Sequence, residues 1–125
     1  MRKLLLIGNA PGVEKMLRES AKRSGAGFVR MNTCAEARHS IKQFGSFEAI
    51  IMLVDPTTSR FMLIEEIRGR FKTLPVFAAM RSNNPSHKAL ARAYGATGTF
   101  DIAIKTPQAL ADEFDLLIPS FNQRN

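Results

Sequence analysis

Five short apolar runs, each followed by a segment of helical periodicity, predict an α/β domain: a doubly wound sheet of five parallel strands covered by five helices. Two further observations support that class. The third run, Phe47 to Val54, is apolar apart from Glu48 and shows no strict alternation, as a central parallel strand buried on both faces requires. Glycine, proline and asparagine punctuate the junctions between periodic segments. At 125 residues the chain fits a single domain spanning 1–125, long enough to bury roughly two-thirds of its unfolded surface around one core.

The elements follow in order. Leu4 to Ile7 is a first strand, closed by the turn formers Gly8, Asn9, Pro11 and Gly12. The next helix carries Val13, Met16, Leu17 and Ala21 on one stripe with basic residues opposite, and Ser24-Gly25-Ala26-Gly27 stops it. Phe28 to Met31 is the second strand. Thr33 and Glu36 have capping-box spacing and open a helix from Cys34 to about Phe44, with Ala37 and Ile41 inward and Gly45 at its end. After the third strand, Asp55-Pro56-Thr57-Thr58-Ser59 leads into a helix with Met62, Leu63, Ile67 and Phe71 as its apolar stripe. Leu74 to Met80 is the fourth strand. Asn84 caps a helix that begins at Pro85, where the missing N–H costs nothing, and runs to about Tyr94 and Gly95. Thr99 to Ile104 is the fifth strand, and Thr106-Pro107 opens a last helix with Leu110, Phe114, Leu117 and Ile118 inward.

Parallel strands joined by right-handed crossovers give a flavodoxin-like arrangement with strand order 2-1-3-4-5. Ligands and chemistry in such folds lie beyond the carboxyl ends of the strands, where the loops here begin at Gly8, Asn32, Asp55, Met80 and Lys105.

Composition narrows the setting. The lone Cys34 has no partner for an internal disulfide and no metal-type cluster accompanies it, which points to a reduced, cytoplasmic setting with Cys34 as a small packing residue. The N-terminal apolar run is too short for a signal peptide or a membrane span. Eighteen basic against eleven acidic residues give a formal charge of +7, which draws the chain toward nucleic acid, acidic lipid or an acidic protein surface. Lys15, Arg18, Lys22 and Arg23 share the first helix, Arg68, Arg70 and Lys72 cluster at the end of the third, and Asp112, Glu113 and Asp115 lie near the C-terminus.

Phe47 to Leu53, a proline-containing loop and Leu63-Ile64-Glu65-Glu66-Ile67-Arg68 look like the third strand and helix of the bacterial response-regulator receiver (CheY-like) domain family. Leu74-Pro75-Val76 resembles the start of its fourth strand, Ala91-Arg92-Ala93-Tyr94-Gly95-Ala96 the end of its fourth helix, and Lys105-Thr106-Pro107 the Lys-Pro that closes strand five. The resemblance covers nearly the whole chain. It implies a domain of two-component-type signal transduction and phosphorelay, acting through protein partners.

The departures from that pattern decide what the resemblance implies for chemistry. Active receivers hold Mg²⁺ with an acidic pair after strand one, and Gly8-Asn9 stands there. The phosphoacceptor position at the end of strand three falls on Leu53 or Met52, with Asp55 as a displaced alternative in a turn before Pro56. The switch hydroxyl after strand four falls on Met80, with Ser82 just beyond, and Lys105 corresponds to the family's lysine. Asn9 suits an Asx turn. The pattern is that of a pseudo-receiver without catalytic residues, metal or cofactor.

Other chemistries find less support. Gly8-Asn9-Ala10-Pro11-Gly12 lacks both the dinucleotide glycine spacing and the P-loop lysine. A sugar-phosphotransfer subunit of this fold would want a cysteine in that loop, whereas Cys34 is elsewhere. No Ser-His-Asp ordering or carboxylate pair marks an enzyme, and His39 and His87 read as surface or packing residues. The expected partner is a signalling protein docking on the face of helix four, strand five and helix five, which receivers commonly use; here it offers Lys88, Arg92, Tyr94, Phe100 and Asp101. Two alternatives stand beside this reading: a nucleic-acid-associated module using the basic cluster of the first helix, and an active receiver that phosphorylates Asp55.

Overall fold

The computed structural model describes residues 3–54, 58–81, 84–102 and 106–117. Five strands, β1 (Lys3–Ile7), β2 (Gly27–Met31), β3 (Ala49–Leu53), β4 (Val76–Met80) and β5 (Gly98–Asp101), form one sheet in the order β2-β1-β3-β4-β5. All four pairings are parallel, and the register sets Ile7 beside Met52 and Leu53 beside Ala79. The connecting helices are α1 (Pro11–Arg23), α2 (Cys34–His39), α3 (Thr58–Arg70), α4 (Pro85–Tyr94) and α5 (Pro107–Leu117), with a short 3-10 segment at Ile41–Ser46 after α2. This is the doubly wound fold expected from the sequence.

The sheet divides the core in two because successive side chains of a strand point to opposite faces. Leu5, Ile7, Ile50, Met52, Val76, Ala78 and Met80 pack with residues of α2, the 3-10 segment, α3 and α4. Leu4, Leu6, Ala49, Ile51, Leu53, Phe77 and Ala79 pack with α1 and α5. Both faces of β3 and β4 are covered, and every residue of those strands is buried. That explains why their sequences run apolar without alternation.

Local signals account for the helix boundaries. Thr33 Oγ1 accepts a hydrogen bond from the Glu36 amide at 3.1 Å, and Asn84 Oδ1 accepts one from the Ser86 amide at 2.9 Å. Each satisfies one of the amides left free at a helix start. Gly95 ends α4 with φ +118°, a left-handed conformation that glycine adopts without strain.

The structure departs from the sequence reading at several element boundaries and at one core position. The helix expected over Cys34 to about Phe44 stops at His39 and gives way to the 3-10 segment; the tighter winding accompanies burial of both Ile41 and Phe44. Met62, expected inward, is 46% exposed, while Phe61, Leu63, Ile64 and Ile67 fill the core. Strand β4 begins at Val76 rather than Leu74, and β5 ends at Asp101 rather than Ile104. In α5, Leu110 and Phe114 are buried as expected, and Ile118 lies outside the described residues.

Candidate functional site at the carboxyl ends of the strands

The loops after β1 and β3 meet at Gly8 and Leu53. Gly8 has φ +121°, and its amide donates to the Met31 carbonyl at 2.8 Å, tying the end of β1 to the end of β2. A Cβ on Gly8 would stand 2.7 Å from Leu53 Cβ, 3.4 Å from Leu53 Cδ2 and 3.1 Å from Arg60 Nη1. The first of these is closer than any real Cβ contact, so the place beside Leu53 has no room for a side chain at position 8. Of the two residues matched to the phosphoacceptor, it is therefore Leu53 that adjoins the position of the acidic pair. Met52 turns to the opposite layer of the core.

Leu53 is 5% exposed and packs with α1 and α5. Its carbonyl accepts a hydrogen bond from Arg60 Nη1 at 2.9 Å. Arg60 is the third residue of α3, partly buried, and brings a guanidinium to the ends of β1 and β3. Asn9, the second residue matched to the acidic pair, is exposed. Met80, matched to the switch hydroxyl, is buried against the α2–α4 layer. Asp55, Ser82 and Lys105 lie outside the described residues.

Arg81 follows Met80 and is exposed. With Ala10, Pro11, Gly12, Val13, Ile102 and Leu110 it lines a shallow pocket of about 150 Å³ at the start of α1. Neither Arg60 nor Arg81 was singled out by the sequence reading. Arg60 did leave a signal: a cation in the first turn of a helix with no acidic residue there opposes the macrodipole, and such a residue needs another reason to be present.

These residues do not fit a divalent cation. Magnesium requires hard anionic oxygens in near-octahedral array, and the described part of the site offers a glycine without room for a side chain, a neutral amide, a buried leucine and a guanidinium. Among the described residues, no group of three or more histidine, cysteine or acidic side chains is placed to hold a metal.

The second set of sequence-selected residues lies on α4 and β5. Lys88 and Arg92 line, with Pro85 and Ala89, an open groove of about 470 Å³ on α4. Leu90 of the same helix is 41% exposed. Tyr94 instead stacks on Phe61 of α3, with ring centroids 5.6 Å apart and planes inclined 21°, and packs against the core. The Asp101 amide donates to Glu113 Oε1 of α5 at 3.4 Å. The side chain of Phe100 lies outside the described residues.

On the first helix, Arg18 is committed locally: its Nε contacts Glu14 Oε2 at 2.9 Å, and its guanidinium lies 4.7 Å from the Phe28 ring centre. Glu14 also holds Arg30 of β2 at 3.1 Å. Arg23 donates to Ser20 Oγ at 3.2 Å. Half of the basic cluster thus secures α1 and β2 to one another or to itself.

The arrangement of strands and helices is shared with solved structures of response regulators and of other proteins. A chemotaxis response regulator of Vibrio cholerae is 22% identical, with a TM-score of 0.74 over 94% of this chain and 98% of its own. A two-component response regulator from Clostridium difficile is 16% identical, with a TM-score of 0.76 over 98% and 99%. A putative pilus assembly-related protein from Burkholderia pseudomallei is 15% identical, with a TM-score of 0.75 over 100% and 95%. The fold is that of CheY-like receivers. No family model and no curated protein matches the chain, so this likeness is one of backbone and not of sequence. Among the described residues, no helix is long and apolar enough to cross a membrane.

Proposed function

We propose that the chain is a receiver-fold signalling domain that works without phosphorylation, by binding a protein partner in two-component-type signal transduction. The observation that carries this reading is the meeting of Gly8, Leu53 and Arg60 at the ends of β1 and β3. Phosphoryl transfer to a receiver carboxylate needs that acid and a metal to offset the charge of the incoming phosphoryl group. Here the matching acid is an apolar buried side chain, and the metal position adjoins a fixed positive charge. The state of the domain is then set by whichever conformation its partner binds more tightly.

The docking face suggested by the resemblance is supported by the α4 groove. Lys88 and Arg92 stand one helical turn apart and line it together with Pro85 and Ala89. Paired positive charge suits an acidic partner surface, since complementary potentials steer encounter and fix register. The fold occurs in proteins described as chemotactic and as pilus-assembly-related, so the fold alone does not select a pathway.

Two measurements test the reading. In an NMR titration with Mg²⁺ and beryllofluoride at millimolar concentration, Gly8 and Leu53 amides are expected to stay in place; saturable shifts that vanish in Asp55→Asn would establish an active receiver instead. Reversing Lys88 and Arg92 together to Glu is expected to abolish partner binding, while reversing Lys15, Arg18 and Lys22 leaves it intact. Salt-sensitive retention on duplex DNA that is lost on the α1 reversal would favour the nucleic-acid alternative.

A further inference from the structure

We propose that Arg60 is a resident cation of the carboxyl-end site, holding the end of β3 through the Leu53 carbonyl and closing the site to metal ions. The inference rests on reading this end of the sheet as a receiver site without its acids. It adds the group that has taken their counter-ion's place.

Three observations converge on it. The first is the hydrogen bond itself: Arg60 Nη1 donates to the Leu53 carbonyl at 2.9 Å in a partly buried setting. Leu53 is the last residue of the central strand, where the next ladder bond runs from the Val54 amide to the Ala79 carbonyl at 2.9 Å. A strand-end carbonyl away from bulk water needs a donor, and a charged one makes the stronger bond.

The second is the mutual fit of Gly8 and Arg60. A Cβ at position 8 would meet Arg60 Nη1 at 3.1 Å as well as Leu53 Cβ at 2.7 Å. Glycine at 8 thus lets Leu53 and the guanidinium close over it, and an aspartate at position 8 would be driven into both neighbours. Gly8, Leu53 and Arg60 fit one another.

The third is the placement of the charge. The first turn of α3 contains no acidic residue and does contain Arg60, although the positive end of the macrodipole disfavours a cation there. The bond to Leu53 supplies what the helix does not. The same charge repels any further cation that approaches within a few ångströms, which is expected to weaken divalent binding by at least about tenfold relative to a neutral side chain.

The test is NMR on the whole domain with Mn²⁺ as a paramagnetic probe. In Arg60→Leu, the Leu53 carbonyl resonance is expected to move while those of Ile50 and Ile51 stay. In the same neutral variant, equal Mn²⁺ is expected to broaden the Gly8 and Leu53 amides at least about tenfold more than in wild type. An unmoved Leu53 carbonyl, or equal broadening in wild type and Arg60→Leu, overturns the proposal. If Arg60→Leu does not fold, the wild-type side chain is read directly: hindered rotation about the Arg60 Nε–Cζ bond supports the tether, and free rotation overturns it. A wild type that itself binds Mn²⁺ at this site, with the binding lost in Asp55→Asn, overturns the phosphorylation-independent reading too. A silent wild type with an unmoved Leu53 carbonyl overturns only the role of Arg60.

Discussion

Helix α3 carries an arginine near each end, and each lies against a glycine of positive φ. At the amino end of the sheet, Arg68 Nε donates to the Gly95 carbonyl at 2.9 Å, Nη1 to the carbonyls of Phe71 and Lys72 at 2.9 and 3.0 Å, and Nη2 to Thr97 Oγ1 at 3.0 Å. At the carboxyl end, Arg60 makes a single such bond, to Leu53. A Cβ on Gly95 would meet Arg68 Cβ at 2.8 Å, as one on Gly8 would meet Arg60 Nη1 at 3.1 Å. Arg68 stands where helix physics favours a cation, in the last turn beside free carbonyls. Arg60 stands where helix physics disfavours one. The difference teaches that Arg68 is explained by folding alone, whereas Arg60 has to be explained by its surroundings at the site.

The largest expected effect comes from placing an acid at the carboxyl end of β3. Leu53→Asp places a carboxylate at a position that is 5% exposed and packed by α1 and α5. Loss of the leucine's packing and desolvation of the acid together are expected to cost about 3–5 kcal/mol in a urea melt. Leu53 Cδ2 and Arg60 Nη1 both lie within 3.4 Å of one point above Gly8, so the new carboxylate has a cation near it. The double variant with Arg60→Leu is therefore expected to lose about 1–2 kcal/mol more than the sum of the singles. Simple additivity would mean that Arg60 does not face the site.

At the other end, Arg68→Ala is expected to destabilise by about 3 kcal/mol, because one side chain joins the end of α3, the cap of α4 and the start of β5. Thr97 Oγ1 would lose one of two donors, the other being the Val76 amide at 3.0 Å. Amide exchange should quicken at Val76 and Ala96 before it does at Leu5 or Ile51. A loss under about 1 kcal/mol would put Arg68 among ordinary exposed side chains.

How much of this was legible in the sequence depends on what kind of interaction fixed each feature. Strand order followed from the alternation of strands with helices, and the burial of Leu4 to Ile7 and of Ala49 to Leu53 from runs that have no polar face to offer water. Caps at Thr33 and Asn84 are local chemistry and were readable as such. The phase of α3 was not, because Phe61-Met62-Leu63-Ile64 is apolar throughout and periodicity alone does not say which residue faces out. The stacking of Phe61 on Tyr94 across two helices settles it. The break after His39 likewise depends on seating Ile41 and Phe44 together. At the site, the sequence shows that Gly8, Asn9, Met52 and Leu53 bring no carboxylate, and the structure adds that Leu53 is the one beside Gly8. Arg60 was marked only by its unfavourable place in the first turn of a helix, because its partner is a backbone carbonyl, which every residue has and no sequence marks. Asp55, Lys105 and the Phe100 side chain lie outside the described residues.

The smallest effects sharpen the comparison most. Arg60→Leu removes one charged hydrogen bond and relieves an unfavourable helix-end charge, so a net loss of only about 1 kcal/mol is expected. Lysine then separates charge from geometry. At position 68 it retains the charge but has no planar fork to reach four acceptors on three elements, so Arg68→Lys should forfeit about 2 kcal/mol, most of what alanine does. At position 60 a single acceptor is within reach of one ammonium, so Arg60→Lys should cost under about 0.5 kcal/mol and still exclude Mn²⁺. Equal losses at both positions, measured side by side in urea, would mean that the bond to Leu53 depends on guanidinium shape as much as the Arg68 cluster does. In that case Arg60 is better described as a structural clasp than as a cation standing in for a metal.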